Sequence, residues 1–502
     1  MSSPTANAAK DLSARTWRLY QSANFQIYSD LRPGQVADTI TALENFRAAV
    51  HYLTSTDPGT SPPHETRLYL FKRVADLRKL HSSQEVLGFM IPGLRYNLMV
   101  AAKPPRGSIL NTATSVVFHE YVHQLVRSVS SFRYPAWYDE GFAELLSTAR
   151  SGNGSLIFGQ APAAAAHLLK PEREMPLAEM LNYQQSPDDD PQRRQRFYAK
   201  AWLFTHYLLF SPESAENGHR KASSDYLRAY NRGQLHANTF EELFGLDIAA
   251  MDSVLRSYQF RVQSFEVPRG VLKVNPDHQQ RVLSRDEARY ELGSLFLGRH
   301  SATANALLSA VDTESGMYPR ALSSLGQLDL RNGEYAGALE KQRKALALAP
   351  EDYLLHLAIA ESLLQACSAN APIKSCRDPD VHNQALAHYA RAQALESDRA
   401  ETTARYGFEL MQQGYSRKAL PLLQRALELV PGSYQLVISL GIVHLQSQQW
   451  EAAEYYLQRA WGWSADAAEE RERVASLLAF LDRARSAAQE PPAPSDLEFE
   501  FD

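Results

Sequence analysis

The sequence predicts an α+β region, with a small mixed sheet and several helices, followed by an all-α solenoid of paired helices. Short β-rich segments alternate with amphipathic helical segments in the first third of the chain. Beyond residue 320, small residues recur at fixed spacings, and Gly407 and Gly441 lie 34 residues apart. A Pro/Gly break at 268–270 separates these two patterns.

Strands and helices alternate in the N-terminal part. Strands are predicted where β-branched and aromatic residues cluster, and helices where apolar residues recur three and four positions apart. The predicted elements are strands at 17–20 and 25–28, a helix from Pro33, a strand at 66–72, a short helix at 74–80, and a hairpin at 88–101 that turns at Pro92-Gly93. The region therefore has the content of an α/β lobe.

Composition limits the classes of function. The 502 residues suggest two to four domains, and 44% apolar with 22% charged residues is an ordinary globular mixture. A net charge of -5 without a basic block disfavours nucleic acid, and no apolar run is long enough to span a membrane. The N-terminus lacks a signal-peptide core, so the default expectation is the cytoplasm, or the periplasm or exterior if a leader was trimmed.

A metal-binding motif lies in an apolar run at 116–126. It reads His119-Glu120-Tyr121-Val122-His123, or H-E-x-x-H. Residues four apart on a helix lie on one face, so His119 and His123 can present two imidazoles to one metal ion, and Zn²⁺ is the expected ion. Glu120 points slightly off that axis and can act as a general base. The alternative is a chance occurrence of the motif.

A third ligand is expected downstream. After a polar break at 128–131, the segment 135–144 reads P-A-W-Y-D-E-G-F-A-E. A catalytic zinc site needs three protein ligands and an open fourth position. A helix that returns antiparallel to the first would bring Glu140 to the histidine pair; otherwise Glu140 is a solvated helix residue.

H-E-x-x-H followed by W-x-x-E-G-x-A-E resembles the gluzincin metallopeptidases, a zincin-like fold. The resemblance implies one Zn²⁺ per chain held by His119, His123 and Glu140. It also implies that Glu144 orients a ligand histidine, that Tyr198 donates a hydrogen bond to the oxyanion, and that His206 is the reserve for that role.

The 16 residues between His123 and Glu140 are slightly fewer than in well-known members of this group. The Gly-Ala-Met-Glu-Asn motif of the exopeptidase members is absent from the sequence, so endopeptidase activity is the default. By the same analogy, the strand over 96–101 offers a backbone edge to an extended peptide substrate, although an ordinary core strand is an equal alternative.

Small residues in the C-terminal part are spaced as in tetratricopeptide (TPR) repeats. The positions are Gly326, Ala338, Ala345 and Pro350; Ala360, Ala385 and Ala392; Gly407, Ala419, Ala426 and Pro431; and Gly441, Ala453 and Ala460. Within the second set, Ala385 and Ala392 are displaced by 13 extra residues, which are expected to form a loop carrying Cys367 and Cys376. These cysteines are either a disulfide or two reduced thiols. TPR solenoids usually bind a peptide or protein in their groove.

Five segments are predicted in total: a disordered N-terminus (1–15), a zincin-like metallopeptidase domain (16–265), a linker (266–285), a TPR domain (286–487) and an acidic disordered tail (488–502). The predicted function is a zinc peptidase that cleaves a peptide or protein substrate, with TPR repeats that recruit a protein partner or the substrate. The alternative is a TPR scaffold or adaptor with a vestigial zincin domain.

Overall fold

A six-stranded mixed sheet lies in the N-terminal part of the protein, and a three-stranded sheet lies beside it. The strands are β1 (Arg18–Gln21), β2 (Phe25–Ser29), β3 (Thr66–Phe71), β4 (Gly88–Ile91), β5 (Asn97–Ala102), β6 (Arg150–Gly152), β7 (Ser155–Phe158), β8 (Phe265–Val267) and β9 (Gln279–Val282). In this computed structural model, the larger sheet has the order β4-β5-β3-β2-β1-β9. β3 pairs in parallel with β2 and β5, while β4–β5, β1–β2 and β1–β9 are antiparallel. The smaller, antiparallel sheet has the order β6-β7-β8.

Helices make up most of the remaining structure. Those of the first part are α1 (Pro33–Thr54), α2 (Val74–Leu77), α3 (118–126), α4 (Ala136–Ser147), α5 (Ala165–Leu168), α6 (Leu177–Leu181), α7 (Pro191–Phe210), α8 (Pro212–Glu216), α9 (His219–Asn231), α10 (Thr239–Phe244) and α11 (Ile248–Tyr258). Those of the second part are α12 (Arg285–Phe296), α13 (Ser301–Leu308), α14 (Tyr318–Arg331), α15 (Tyr335–Leu348), α16 (Tyr353–Asn370), α17 (Pro379–Leu395), α18 (Ala400–Gln412), α19 (Ser416–Leu429), α20 (Tyr434–Gln446), α21 (Trp450–Trp463) and α22 (Ala468–Gln489).

The structure describes residues 11–54, 56, 65–80, 88–102, 118–126, 134–152, 155–162, 165–183, 190–272, 276–370, 376, 378–464 and 468–489. Within these ranges, none of the helices combines the length and apolar character needed to cross a bilayer. The polar break predicted at 128–131 and the tail from 490 onward lie outside the described residues.

The H-E-x-x-H helix α3 packs with α1 on one face of the larger sheet. Phe46 of α1 stacks on Phe118 with ring centroids 4.1 Å apart, and Phe25 of β2 meets Tyr121 at 5.2 Å. Because side chains alternate along a strand, Leu68 of β3 belongs to this core. The apolar face of α3 is thereby buried, which leaves its histidine face for α4.

Helix α4 crosses α7 at a very close distance, and this contact fixes the site. A Cβ on Gly141 of α4 would lie 2.4 Å from both the Ala201 carbonyl oxygen and Thr205 Oγ1 of α7. Trp137 packs on Phe204 nearby, at 4.9 Å between ring centroids. Glycine therefore lets the two backbones touch at the position that follows Glu140.

A fully buried lysine anchors α7 from the other side. Lys200 has no exposed surface, and its Nζ lies 2.9 Å from Glu174 and 2.5 Å from Asp252. Arg256 also contacts both carboxylates, at 2.6 and 3.1 Å. Sequence reasoning did not identify this cluster, since its members are distant in the chain.

The helical repeats pair as predicted. The pairs are α14 with α15, α16 with α17, α18 with α19, and α20 with α21. Ala338, Ala419 and Ala453 are completely buried, and a Cβ on Gly441 would lie 2.7 Å from Leu457 Cδ2. Small residues thus mark the close helix crossings. A disulfide joins Cys367, which lies within α16 and not in the expected loop, to Cys376, which precedes α17. Residues 371–375 and 377 of that loop lie outside the described residues.

The predicted linker at 266–285, and the separation of the two domains that it implies, need correction. β8 and β9 both lie within 266–285 or at its border, and β9 pairs with β1. The second face of the larger sheet, including Tyr69 and Phe71, shares one core with α12, α13 and α14. Tyr69 also donates a hydrogen bond to Glu291 of α12 at 2.8 Å. The first helices of the array therefore complete the sheet region instead of standing apart from it.

The array also contacts the first part near its other end. Trp463 of α21 donates a hydrogen bond from Nε1 to Asn231 Oδ1 of α9 at 3.2 Å. A Cβ on Gly462 would lie 2.9 Å from the Tyr230 carbonyl oxygen. The two parts are therefore joined at both ends of the array.

The disordered N-terminus predicted for 1–15 is wrong for residues 11–15, while residues 1–10 lie outside the described chain. Leu12 is fully buried, and its carbonyl accepts a hydrogen bond from Trp17 at 3.0 Å. Arg15 contacts Asp30 at 3.0 Å and Asp76 at 2.7 Å. The polar composition of this segment hid these long-range contacts.

Candidate metal centre

Three predicted ligands converge where α3 meets α4. His119 Nε2 lies 2.9 Å from Glu140 Oε2 and 3.2 Å from His123 Nε2, and His123 Nε2 lies 3.5 Å from Glu140 Oε2. These atoms form the one group in the described chain in which three or more metal-ligating side chains lie within 4.8 Å of one another. The antiparallel return of α4 thus brings the three side chains together.

The spacing of these atoms fits Zn²⁺. Bonds of about 2.0–2.1 Å in tetrahedral geometry keep ligand atoms about 3.3 Å apart. The three distances of 2.9, 3.2 and 3.5 Å bracket that value. Two imidazoles and one carboxylate are also a ligand set typical of catalytic zinc.

Two further carboxylates lie behind the histidines. Glu144 Oε1 is 3.4 Å from His119 Nδ1, which is the place predicted for it. Asp139 Oδ1 is 3.0 Å from His123 Nδ1, although sequence reasoning gave Asp139 no such role. Each Nε2 is therefore directed to the centre while each Nδ1 faces a carboxylate. The signal for Asp139 was its position next to Glu140 on the first turn of α4.

The charges of the site are strongly coupled. Burial disfavours a charged His123, but Asp139 and Glu140 outweigh it and raise its pKa well above the usual range. Burial likewise opposes the charged form of His119, and the hydrogen bond to Glu140 still raises its pKa. Burial opposes ionisation of Glu140, yet both histidines hold the pKa of that carboxyl far below its usual range. The centre favours positive charge beside Glu140, which a cation can supply.

A pocket of about 280 Å³ opens over the three ligands. It is lined by the ligands together with Glu120, Tyr198 of α7, and Met90 and Pro92 at the end of β4. The ring of Tyr198 lies perpendicular to that of His119, with centroids 6.2 Å apart. The structure thus brings Glu120 and Tyr198 to the same pocket as the ligands.

His206 does not line this pocket. It is fully buried, with Nδ1 2.8 Å from Tyr258 Oη and Nε2 3.1 Å from the Gly159 carbonyl. Burial lowers its pKa. His206 follows Tyr198 by eight residues, which is two helical turns plus about 80°, so the two side chains leave α7 in different directions. His206 therefore belongs to the core, and its reserve role is wrong.

The sheet edge next to the pocket is β4. The strand predicted to offer its edge, 96–101, corresponds to β5, which is paired on both sides, with β3 and with β4. β4 ends the sheet, and its residue Met90 lines the pocket. β5 is therefore an ordinary paired core strand, which is the alternative that the sequence left open.

Comparison with known proteins finds a match in the C-terminal part of the chain. Comparison with curated proteins gives no match. Among solved structures, a thermophilic TPR protein of Thermus thermophilus is 22% identical, with 39% of this chain and 99% of that chain covered and a TM-score of 0.31. MamA of Desulfovibrio magneticus RS-1 is 15% identical, with 35% and 99% covered and a TM-score of 0.26. Residues 410–481 match the tetratricopeptide repeat family model, and the C-terminal part of the chain therefore carries tetratricopeptide repeats.

Proposed function

We propose that the protein is a zinc-dependent peptidase, with endopeptidase activity as the default. The observation that carries the proposal is the convergence of His119, His123 and Glu140 in a pocket that also holds Glu120. Neither the family match nor the compared structures bear on this activity. The proposal rests on the donor set and its spacing.

Each pocket residue has a role in this proposal. His119, His123 and Glu140 hold the ion, and Zn²⁺ supplies polarisation of the scissile carbonyl and a lower pKa for the attacking water. Glu120 accepts a proton from that water and returns it to the leaving amine as the C–N bond breaks. Tyr198 donates a hydrogen bond to the oxygen on which negative charge develops.

The substrate in this proposal is an extended peptide. Among the described residues β4 is the outermost strand of the larger sheet, and an extended segment can add to a sheet edge through main-chain hydrogen bonds. Met90 and Pro92 place that edge at the pocket wall. Main-chain pairing would position a peptide bond near Glu120 for many side-chain sequences.

A scaffold is the second candidate function. Its support is the tetratricopeptide match, since arrays of this kind bind peptides and proteins. In this interpretation the repeats perform the function and the metal centre is vestigial. The peptidase proposal includes the same protein-binding role for the repeats.

Cleavage of a peptide library by the purified full chain distinguishes the two. We expect cleavage that a chelator abolishes and that added Zn²⁺ restores. Chelator-resistant cleavage would contradict the zinc mechanism. A protein that holds zinc, binds partners and cleaves no library member would favour the scaffold.

A further inference from the structure

A second cavity, of about 390 Å³, lies where the β4–β5 turn meets the repeats. We call it the arginine cavity, and its lining residues are Arg67, Arg95, Arg320, Glu351, Asp352, Tyr353, Leu354, Glu396 and Arg399. They come from β3, the β4–β5 turn, α14, the start of α16, and the turns that precede α16 and α18. Both parts of the chain therefore build it, and none of its residues belongs to the metal centre.

The acidic residues of this cavity already have partners. Each of the three lining carboxylates forms a close ion pair with an arginine. The pairs are Asp352 with Arg320 at 2.5 Å, Glu396 with Arg399 at 3.1 Å, and Glu351 with Arg391 at 2.7 Å. Their negative charge is therefore largely compensated within the protein.

The arginines retain unused donors. Arg320 and Arg399 bond their carboxylates through Nε, and Arg67 bonds Glu65 through Nε as well. Within the described chain, the Nη atoms of these three side chains make no hydrogen bond. A guanidinium held at Nε presents its remaining N–H groups in a fixed fork that suits a carboxylate.

Arg95 has the weakest partner of the four. Its Nε is buried without a hydrogen-bond partner, and it lies 4.0 Å from Glu401. Burial raises the pKa of Glu401 above its usual range despite the attraction of Arg95. Two guanidiniums lie over the ring of Tyr96, with Cζ of Arg67 at 4.4 Å and Cζ of Arg95 at 5.3 Å from the ring centroid. These cation–π contacts help to position both guanidiniums before a ligand binds.

We propose that the arginine cavity binds an acidic peptide segment that presents two or more carboxylates. The carboxylates of the cavity are ion-paired, whereas several arginine N–H groups have no hydrogen-bond partner among the described residues, and this favours an anionic ligand. Tyr353 and Leu354 supply an apolar wall for the backbone and the aliphatic side-chain carbons of a peptide. Spaced carboxylates on a peptide can each meet one guanidinium fork. The volume is at the small end of ligand sites, which suits a few residues.

The arginine cavity and the metal pocket lie on opposite faces of the larger sheet. Leu68 packs in the core that holds α3, whereas Arg67 shares the opposite face of β3 with Tyr69, which packs against the repeats. The two cavities are therefore separate, although Pro92 and Arg95 of the same turn each line one of them. The binding rests on the protein-binding role proposed for the repeats and does not require hydrolysis.

Fluorescence anisotropy on the full chain at low salt tests the proposal. The probe is a labelled ten-residue peptide with four glutamates, and its counterpart carries four glutamines. We expect the glutamate peptide to bind at least about tenfold more tightly, since its carboxylates can form charge-assisted hydrogen bonds that the glutamine amides cannot. Mass spectrometry after each titration checks that the probe is intact.

Variants locate the site. Arg95→Gln should weaken binding of the glutamate peptide about tenfold, because it removes one guanidinium that would bind a carboxylate. The variant should still fold, because Arg95 makes no close ion pair in the protein. Arg425→Gln, at an exposed arginine of α19 paired with Glu428 at 2.9 Å, is the matched control and should leave binding unchanged. Thermal melting checks that both variants fold.

The wild-type measurement is sufficient to overturn the proposal: it would do so if the two peptides bound with equal affinity, or if the glutamate peptide did not bind. Equal losses in Arg95→Gln and Arg425→Gln would show unspecific attraction. Inorganic phosphate that displaces the peptide far better than chloride at the same ionic strength would replace it with a general anion site. If the wild-type chain binds the glutamate peptide but cleaves no peptide of the library, the peptidase proposal fails and the proposal for the arginine cavity stands.

Discussion

Gly141→Ala perturbs the helix crossing that positions Glu140, the proposed third metal ligand. The added Cβ would lie 2.4 Å from the Ala201 carbonyl oxygen and 2.4 Å from Thr205 Oγ1. Ordinary van der Waals contact begins near 3.4 Å, so α4 and α7 must separate by about 1 Å. Because the first contact is a backbone oxygen, a side-chain rotation cannot relieve it.

The change in the free energy of unfolding caused by Gly141→Ala results from two opposing effects. Overpacking of this kind costs about 1–3 kcal/mol, and the backbone contact places it toward the upper end. Replacing glycine by alanine inside a helix returns about 0.8–1.0 kcal/mol. The net loss in free energy of unfolding should be about 1–2 kcal/mol, or roughly 2–8 °C in Tm. A shift of about 1 Å at a catalytic group can lower the rate about 100-fold.

Thermal melting and a zinc titration measure both effects. Gly337→Ala in α15 is the matched control, because its Cβ would meet only Asp329 Oδ2 at an ordinary 3.5 Å. The control should be neutral or slightly stabilised, with unchanged zinc binding. A Gly141→Ala protein that melts like the control and binds zinc like wild type would refute the claim that this contact sets the site.

Three further predictions follow from the structure. Glu140→Ala should lose stoichiometric zinc, whereas Glu144→Ala should keep it with an affinity about 10–100-fold lower; atomic absorption and competition with a chelator check both, and full retention in Glu140→Ala would exclude it as a ligand. A truncated chain of residues 286–487 should bind an apolar dye and melt without cooperativity, because it lacks the sheet face that covers its first helices; a cooperative, dye-free product would contradict the shared core. Lys200→Met should lower the free energy of unfolding, measured with denaturant, by about 3 kcal/mol, because it leaves the buried carboxylates of Glu174 and Asp252 with only Arg256 as partner. A decrease below about 1 kcal/mol would mean that Arg256 alone compensates the two carboxylates.

Local spacing was sufficient to predict which three side chains converge at the candidate metal centre. His119 and His123 lie on one face of a helix because four residues are close to one turn. Glu140 required a helix that returns beside the first, and the polar break between them indicated it. The small residues of the repeats, such as Ala338 and Ala419, likewise report a contact between helices that are neighbours in sequence. Each of these features joins segments close in the chain.

Contacts between distant segments could not be predicted in this way. The pairing of β9 with β1, and the role of α12 in covering Tyr69, join residues more than 200 positions apart. No periodicity within either segment encodes its partner. The arginine cavity escaped prediction for the same reason, since Arg67 and Arg399 become neighbours only when the array folds back on the sheet.

The most direct test of the central claim compares wild type with Glu120→Gln. Glu120 lines the pocket but is not one of the three converging ligands, and the glutamine keeps its volume while removing the base. Zinc content by atomic absorption and cleavage of a peptide library are measured on both proteins. We predict one Zn²⁺ per chain in each, with cleavage lower in the variant by about 10²–10⁴-fold or more. Equal cleavage by the two proteins would contradict the mechanism, and zinc in both with cleavage in neither would favour the scaffold.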